Sequence, residues 1–253
     1  MPQIDLASPV LFTIAGLPVT NTIFTAWIAS AVLIVVSLVA TRNMQAVPGR
    51  LQNAFEMVVE GLLAIGTQTA DARRARRFFP LIATFFLFIL FSNWLGVLPL
   101  FGEGELYRII PTEGGEAVEH ANILRSANSD LNVTAAMALI VFVWTELLGL
   151  RAGGLAYLKE FIWPGLLIEV ISHIARAVAL ALRLFGNILA GEILLAIMSA
   201  LVPLVIPALF IGFELFVGLV QALIFALLAL AFMTLATEHE AVEHLSEGEA
   251  AHH

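Results

Sequence analysis

The chain of 253 residues has no cysteine, which removes disulfide frameworks and thiol chemistry and leaves its redox compartment unreadable. Charge is scarce too: acidic and basic residues make up 13% of the chain against 60% hydrophobic, with a mean hydropathy of +0.95. Soluble domains carry about a quarter charged residues, so a soluble globular fold is excluded. The net charge of −8 argues against nucleic acid as a partner. Met1 to Asn21 lacks lysine and arginine, so neither a secretory signal nor an organellar presequence is expected.

What fills the chain instead is apolar sequence in runs of about 20 residues, the length of a bilayer-crossing helix. The pattern predicts an all-α membrane protein: five membrane-crossing segments plus an amphipathic interfacial helix, in a single membrane domain over 1–253. Spans are expected at 22–40, 78–100 and 131–150, with long helices at 165–200 and 206–237. Over 49–70, Leu51, Phe55, Val58, Leu62 and Ile65 recur at helical spacing with Asn53, Glu56 and Glu60 between them. That stripe predicts a helix on the membrane surface or against other spans. The segment 101–129 reads as an external loop and 238–253 as an acidic tail. Asp130 is expected to cap the helix that follows it.

Orientation follows from the basic residues. Arg42, Arg50, the Arg73–Arg77 cluster, Arg151 and Lys159 all fall in stretches on one side of the predicted spans. Positive charge stays inside, so the N-terminus is expected outside, in the periplasm, and the C-terminus in the cytoplasm of a cell with an inner membrane. Membrane lipid is then a partner by default, with Trp94 as an interfacial anchor.

Arg183 lies inside the run 165–200. A guanidinium there costs a few kcal/mol by insertion scales and cannot lose its proton, so it marks a functional site or an arginine paired to lock two helices. At 100° per residue, Glu169, Ser172, Arg176, Ala179, Gly186, Asn187 and Ala190 share its face. That small, polar face suits either ordinary helix packing or close approach by a partner carrying a carboxylate. Glu192 points about 180° away and sits about 14 Å further along the axis. Glu214 and Gln221 are on one face of the last helix, being seven residues apart. With the orientation above, Glu169 and His173 lie toward the cytoplasm, and Glu192 and Glu214 toward the outside. Intramembrane carboxylates and histidines suit proton relays, whereas arginine can only block passage or draw a proton off a visiting acid. A carrier must then move for a proton to cross.

At these residues the chain resembles subunit a of the F-type ATP synthase. Arg183-Leu184-Phe185-Gly186-Asn187, Ala190-Gly191-Glu192, Ser129-Asp130-Leu131-Asn132-Val133-Thr134 and Gln221-Ala222-Leu223-Ile224-Phe225 carry the likeness. The resemblance implies a non-catalytic stator subunit facing a ring of c subunits, held by b-type peripheral stalk subunits and the remainder of the ATP synthase complex. It implies that Arg183 faces the ring carboxylate, and that Glu192, Glu214, Gln221, Asn187, Glu169 and His173 belong to the proton pathway. Arg176, Ser172, Ala179, Gly186 and Ala190 would form the ring-facing interface. The last two helices, about 54 Å long if each has about 36 residues, would tilt strongly against that ring. Where some members place a histidine at one of the positions matching Glu192 and Glu214, both are glutamate here.

No cofactor and no metal is expected. The chain has no Gly-x-x-x-x-Gly-Lys-Ser/Thr loop, so nucleotide chemistry belongs to another subunit. His239 to His244 fails both zinc-protease spacings, which speaks against an intramembrane hydrolase. One proton crossing about 150 mV yields roughly 3.5 kcal/mol, so several must be coupled per ATP. A sodium-translocating version of the same machine and an unrelated secondary transporter remain the alternatives, the latter without a visible internal repeat.

Overall fold

A computed structural model describes residues 8–14, 16–42, 44–45, 49–97, 105–112, 115–122, 124–160, 166–201 and 205–237. Six helices dominate: α1 (Asn21–Thr41), α2 (Arg50–Thr69), α3 (Ala72–Val97), α4 (Leu131–Glu160), α5 (Leu166–Leu201) and α6 (Val205–Ala236). All but α2 are long and apolar enough to cross a membrane, which makes five candidate spans. Two small antiparallel hairpins qualify the all-α expectation. β1 (Val10–Ile14) pairs with β2 (Leu17–Thr20), and β3 (Glu105–Thr112) pairs with β4 (Gly115–Asn122). In the first, Gly16 has φ +84, a conformation that a side chain would strain. The second lies within the stretch read as a loop. Glutamates interrupt its apolar alternation, but Thr112 pairs with Gly115 across a two-residue connection, the spacing of a tight hairpin.

Burial is arranged for lipid. On α1 the buried positions are Asn21, Thr22, Thr25, Ala29 and Ala40, whereas Ile34, Leu38 and Val39 are 58–64% exposed. Hydrocarbon solvates those side chains as well as a core would, so small and polar residues take the protein-facing side. The same holds for α4, where Leu139, Ile140, Val143, Trp144 and Leu147 are exposed.

The chain forms two compact units, each assembled from three stretches, and α3 to α6 each contribute to both. Unit 1 comprises Met1–Asn43, Leu87–Thr134 and Arg183–Ala222. Its centre is polar. Asn128 Nδ2 donates to Asn93 Oδ1 at 2.7 Å and the Ser126 hydroxyl to the same oxygen at 3.3 Å. A methyl at Gly96 would lie 2.4 Å from the Ser126 backbone nitrogen, so glycine is required for that approach. A short 3-10 turn, Ala127–Ser129, leads into α4. Asp130 caps that helix: its Oδ1 accepts from the Asn132 backbone at 2.9 Å, while its Oδ2 accepts from the Thr22 hydroxyl at 2.9 Å.

Unit 2 comprises Met44–Phe86, Ala135–Leu182 and Leu223–His253, and its interior is apolar, with Phe225, Leu230 and Met233 of α6 almost fully buried. Phe85 packs on Phe225 with ring centroids 5.5 Å apart. On α2, Leu62 and Gly66 are buried, whereas Val58 is 40% exposed. The contact stripe is thus turned slightly from the apolar one, with Gly66 lying beside Leu230. Helix α3 starts at Ala72, so the arginine cluster lies in its first turns. Asp71 Oδ1 accepts from the Arg73 and Arg74 backbone N–H groups, each at 3.0 Å. These bonds, with that from Arg74 foremost, hold its carboxyl below the ordinary aspartate value. The Arg74 guanidinium donates to the Thr237 carbonyl at 3.0 Å, closing the C-terminal end of α6 where a cation is favoured.

Candidate functional site

In unit 1, α5 opens with Arg183. Leu184 and Ile188 are 0% and 2% exposed, and they turn the other face of the helix outward. On that outward face Arg183, Gly186 and Ala190 are exposed, at helical spacing. Among the described residues Arg183 makes no hydrogen bond, ion pair or ring contact. A permanent cation in an apolar helix is therefore presented outward without a counter-charge among the described residues.

The opposite side of α5 holds the acids. Glu192 Oε2 accepts from Arg125 Nε at 2.9 Å, and the two side chains are 21% and 15% exposed. Glu214 of α6 is 6% exposed, and its Oε1 has no hydrogen-bond partner among the described residues. It reaches this position because residue 191 is glycine: an added methyl would lie 2.7 Å from Glu214 Oε1. Further along α6, Gly218 is packed against Asn93, whose Cβ would be 3.2 Å from an added methyl. Gln221 is buried, and its Oε1 accepts from Asn187 Nδ2 at 3.2 Å. Positions 214, 218 and 221 thus form the inward face of α6, while Leu209, Phe213 and Phe216 are 58–75% exposed on the other.

Unit 2 has its own polar cluster. Glu146 Oε1 and His173 Nδ1 are 2.5 Å apart, with side chains 22% and 12% exposed. The Arg176 guanidinium sits 5.8 Å from the centre of the Phe232 ring. These four residues line one cavity with Phe142 and Thr145. Arg176 is therefore half-buried against its own chain, which sets it apart from Arg183. Ser172 is half-buried and Ala179 exposed. The side chain of Glu169 and the tail histidines, His239 included, lie outside the described residues.

The whole chain between α1 and α6 fits one family. The model of the ATP synthase A chain family matches residues 23–234.

The chain belongs to the ATP synthase A chain family.

Several proteins called ATP synthase subunit a are similar to it. That of Gloeobacter violaceus is 35% identical over 226 residues, 88% of this chain and 86% of the relative. That of Geotalea daltonii is 36% identical over 214 residues, 82% of this chain and 83% of the relative. That of a Geobacter species is 34% identical over 242 residues, 93% and 94% of the two chains. As a member of the ATP synthase A chain family, the protein is a multi-pass, non-catalytic membrane subunit of an ATP synthase complex. Family membership also disposes of the secondary-transporter and hydrolase readings.

Four polar residues of these clusters escaped the sequence reading. Arg125, Asn93, Asn128 and Glu146 are not among the residues that spacing or resemblance singles out. The rule that flagged Arg183 also applies to Glu146, a carboxylate in the middle of an apolar run. Arg125 had a weaker signal, the polar sequence Arg125-Ser126-Ala127-Asn128-Ser129-Asp130 immediately before a span.

Proposed function

We propose that this subunit is the proton-conducting stator of an F-type ATP synthase, one membrane domain offering two offset half-paths separated by Arg183. Protons enter from the outside along the group Glu192, Glu214, Gln221 and Asn187. They leave to the cytoplasm past His173 and Glu169. Between the two they travel on a carboxylate of the neighbouring c ring, because the guanidinium neither carries a proton nor lets one pass. Close to that carboxylate, the fixed cation favours its ionised form and so promotes proton release. The Gly186 and Ala190 positions, with Ser172, Ala179 and Arg176 on the same helix, line the approach of the ring, against which α5 and α6 tilt. Peripheral stalk subunits of the b type hold the stator still. The N-terminus faces the periplasm and the C-terminus the cytoplasm of the inner membrane.

The observation that carries this reading is the exposed Arg183 without a partner among the described residues of its chain. A structural arginine would be expected to find a carboxylate or carbonyl within the bundle. Replacing Arg183 with alanine should abolish ATP synthesis driven by a proton gradient while the complex still assembles. ATP-driven proton pumping at the normal rate in Arg183→Ala membranes would rule out the role.

A further inference from the structure

Glu192 and Glu214 look equivalent by residue type, yet their surroundings differ. Glu192 is engaged by a guanidinium at 2.9 Å. Glu214 is the more buried of the two, leans on Gly191, and has no cation beside it among the described residues. The guanidinium itself is held on a firm base. Arg125 N donates to the Thr25 hydroxyl at 3.3 Å, and the next residue, Ser126, is bonded to Asn93 and pressed on Gly96. The charged groups around this pair are few. α1 contributes Thr25, which accepts from the Arg125 backbone, and α3 contributes Asn93, which packs on Gly218, both uncharged. Asp130 is taken up by Thr22 and Asn132.

We propose that Arg125 is a positioning residue for proton entry: it clamps Glu192 as a fixed ion pair and leaves Glu214 as the carboxylate that exchanges protons. A carboxylate bonded to a guanidinium loses that bond each time it takes a proton, which makes it a poor relay. It serves instead as a fixed polar wall of the path, its charge balanced by Arg125. Glu214, held by no cation, gains and loses a proton without breaking an ion pair. This assignment rests on the proton-path reading of the same residues given above.

The test uses membrane vesicles carrying the whole complex, with passive proton flux measured after removal of the catalytic head. Glu214→Gln should lower flux by about 100-fold or more, the size of a lost proton-transfer group. Glu192→Gln and Arg125→Ala should each lower it by about tenfold, as loss of a supporting contact does. The double variant Arg125→Ala with Glu192→Gln should be no worse than Glu192→Gln alone, and Arg125→Lys should recover flux to within about threefold of the parent. The pH profile of flux should change in Arg125→Ala, because Glu192 without its cation becomes a second exchanging acid. Unchanged flux and pH profile in Arg125→Ala, or multiplied losses in the double variant, would overturn the proposal. If Arg125→Ala fails to assemble, the ranking of Glu192→Gln against Glu214→Gln decides: equal or greater damage at Glu192 overturns it. Failure of the underlying reading is separate, since it would show as pumping by Arg183→Ala whatever the Arg125 variants do.

Discussion

The polar clusters of the two units solve the same problem differently. In unit 1 one carboxylate, Glu192, is paired with a guanidinium and a second, Glu214, is not, and glycines make room for the polar side chains: Gly191 under Glu214 and Gly218 under Asn93. In unit 2 one carboxylate faces an imidazole, and the nearby guanidinium rests on an aromatic ring. The first arrangement leaves an acid without a cation, whereas the second pairs its acid with an imidazole. An entry site that must collect protons and an exit site that must shed them would differ in this way. Both contrast with Arg183, whose charge is answered by nothing on its own chain among the described residues.

That contrast can be broken at its glycines first. Gly191→Leu would force the Glu214 carboxylate from its position, since even a methyl would come within 2.7 Å of Oε1. Passive flux should fall by about 100-fold with assembly retained, as for loss of a proton-transfer group. Normal flux would show that Glu214 need not sit against α5. A smaller effect is expected from unit 2. His173→Leu should lower flux by about tenfold, because the partner of Glu146 is lost. Unchanged flux would remove the Glu146–His173 pair from the path.

The smallest effect sharpens the contrast by touching neither cluster. Asp71→Ala removes the cap of α3 and should cost about 1 kcal/mol of stability with no change in flux. Asp71 has a lowered pKa in the folded chain, so its stabilisation is complete above the ordinary aspartate range. It is lost as pH falls through the lowered value. The side chain is exposed, and solvent screening keeps the pH effect small. Thermal unfolding of the Asp71→Ala variant at neutral and at acidic pH should therefore converge with the parent on the acid side.

Much of this architecture could be read from residue order alone. Five candidate spans follow from apolar runs whose length only a bilayer explains, and α2 follows from its amphipathic stripe. Arg183 stood out for the same reason, a charge where charge is costly. The β3–β4 hairpin did not, because glutamates masked its alternation, and a two-stranded ribbon leaves a faint periodic signal. Arg125 could not be matched to Glu192, which lies 67 residues away, since an ion pair is a property of packing and not of spacing. The glycines at 191 and 218 had the same difficulty. Their role is to vacate space for Glu214 and Asn93, and an absent side chain names no neighbour.

The central claim is that a fixed positive charge separates two proton paths and is met by a carboxylate from another subunit. The most direct measurement is a structure of the assembled complex in lipid at a resolution that reveals water. The Arg183 guanidinium should then lie within about 4 Å of a ring carboxylate, or one water away, with the water on its two sides in separate files. One unbroken file of water passing Arg183 from one aqueous phase to the other would contradict the account.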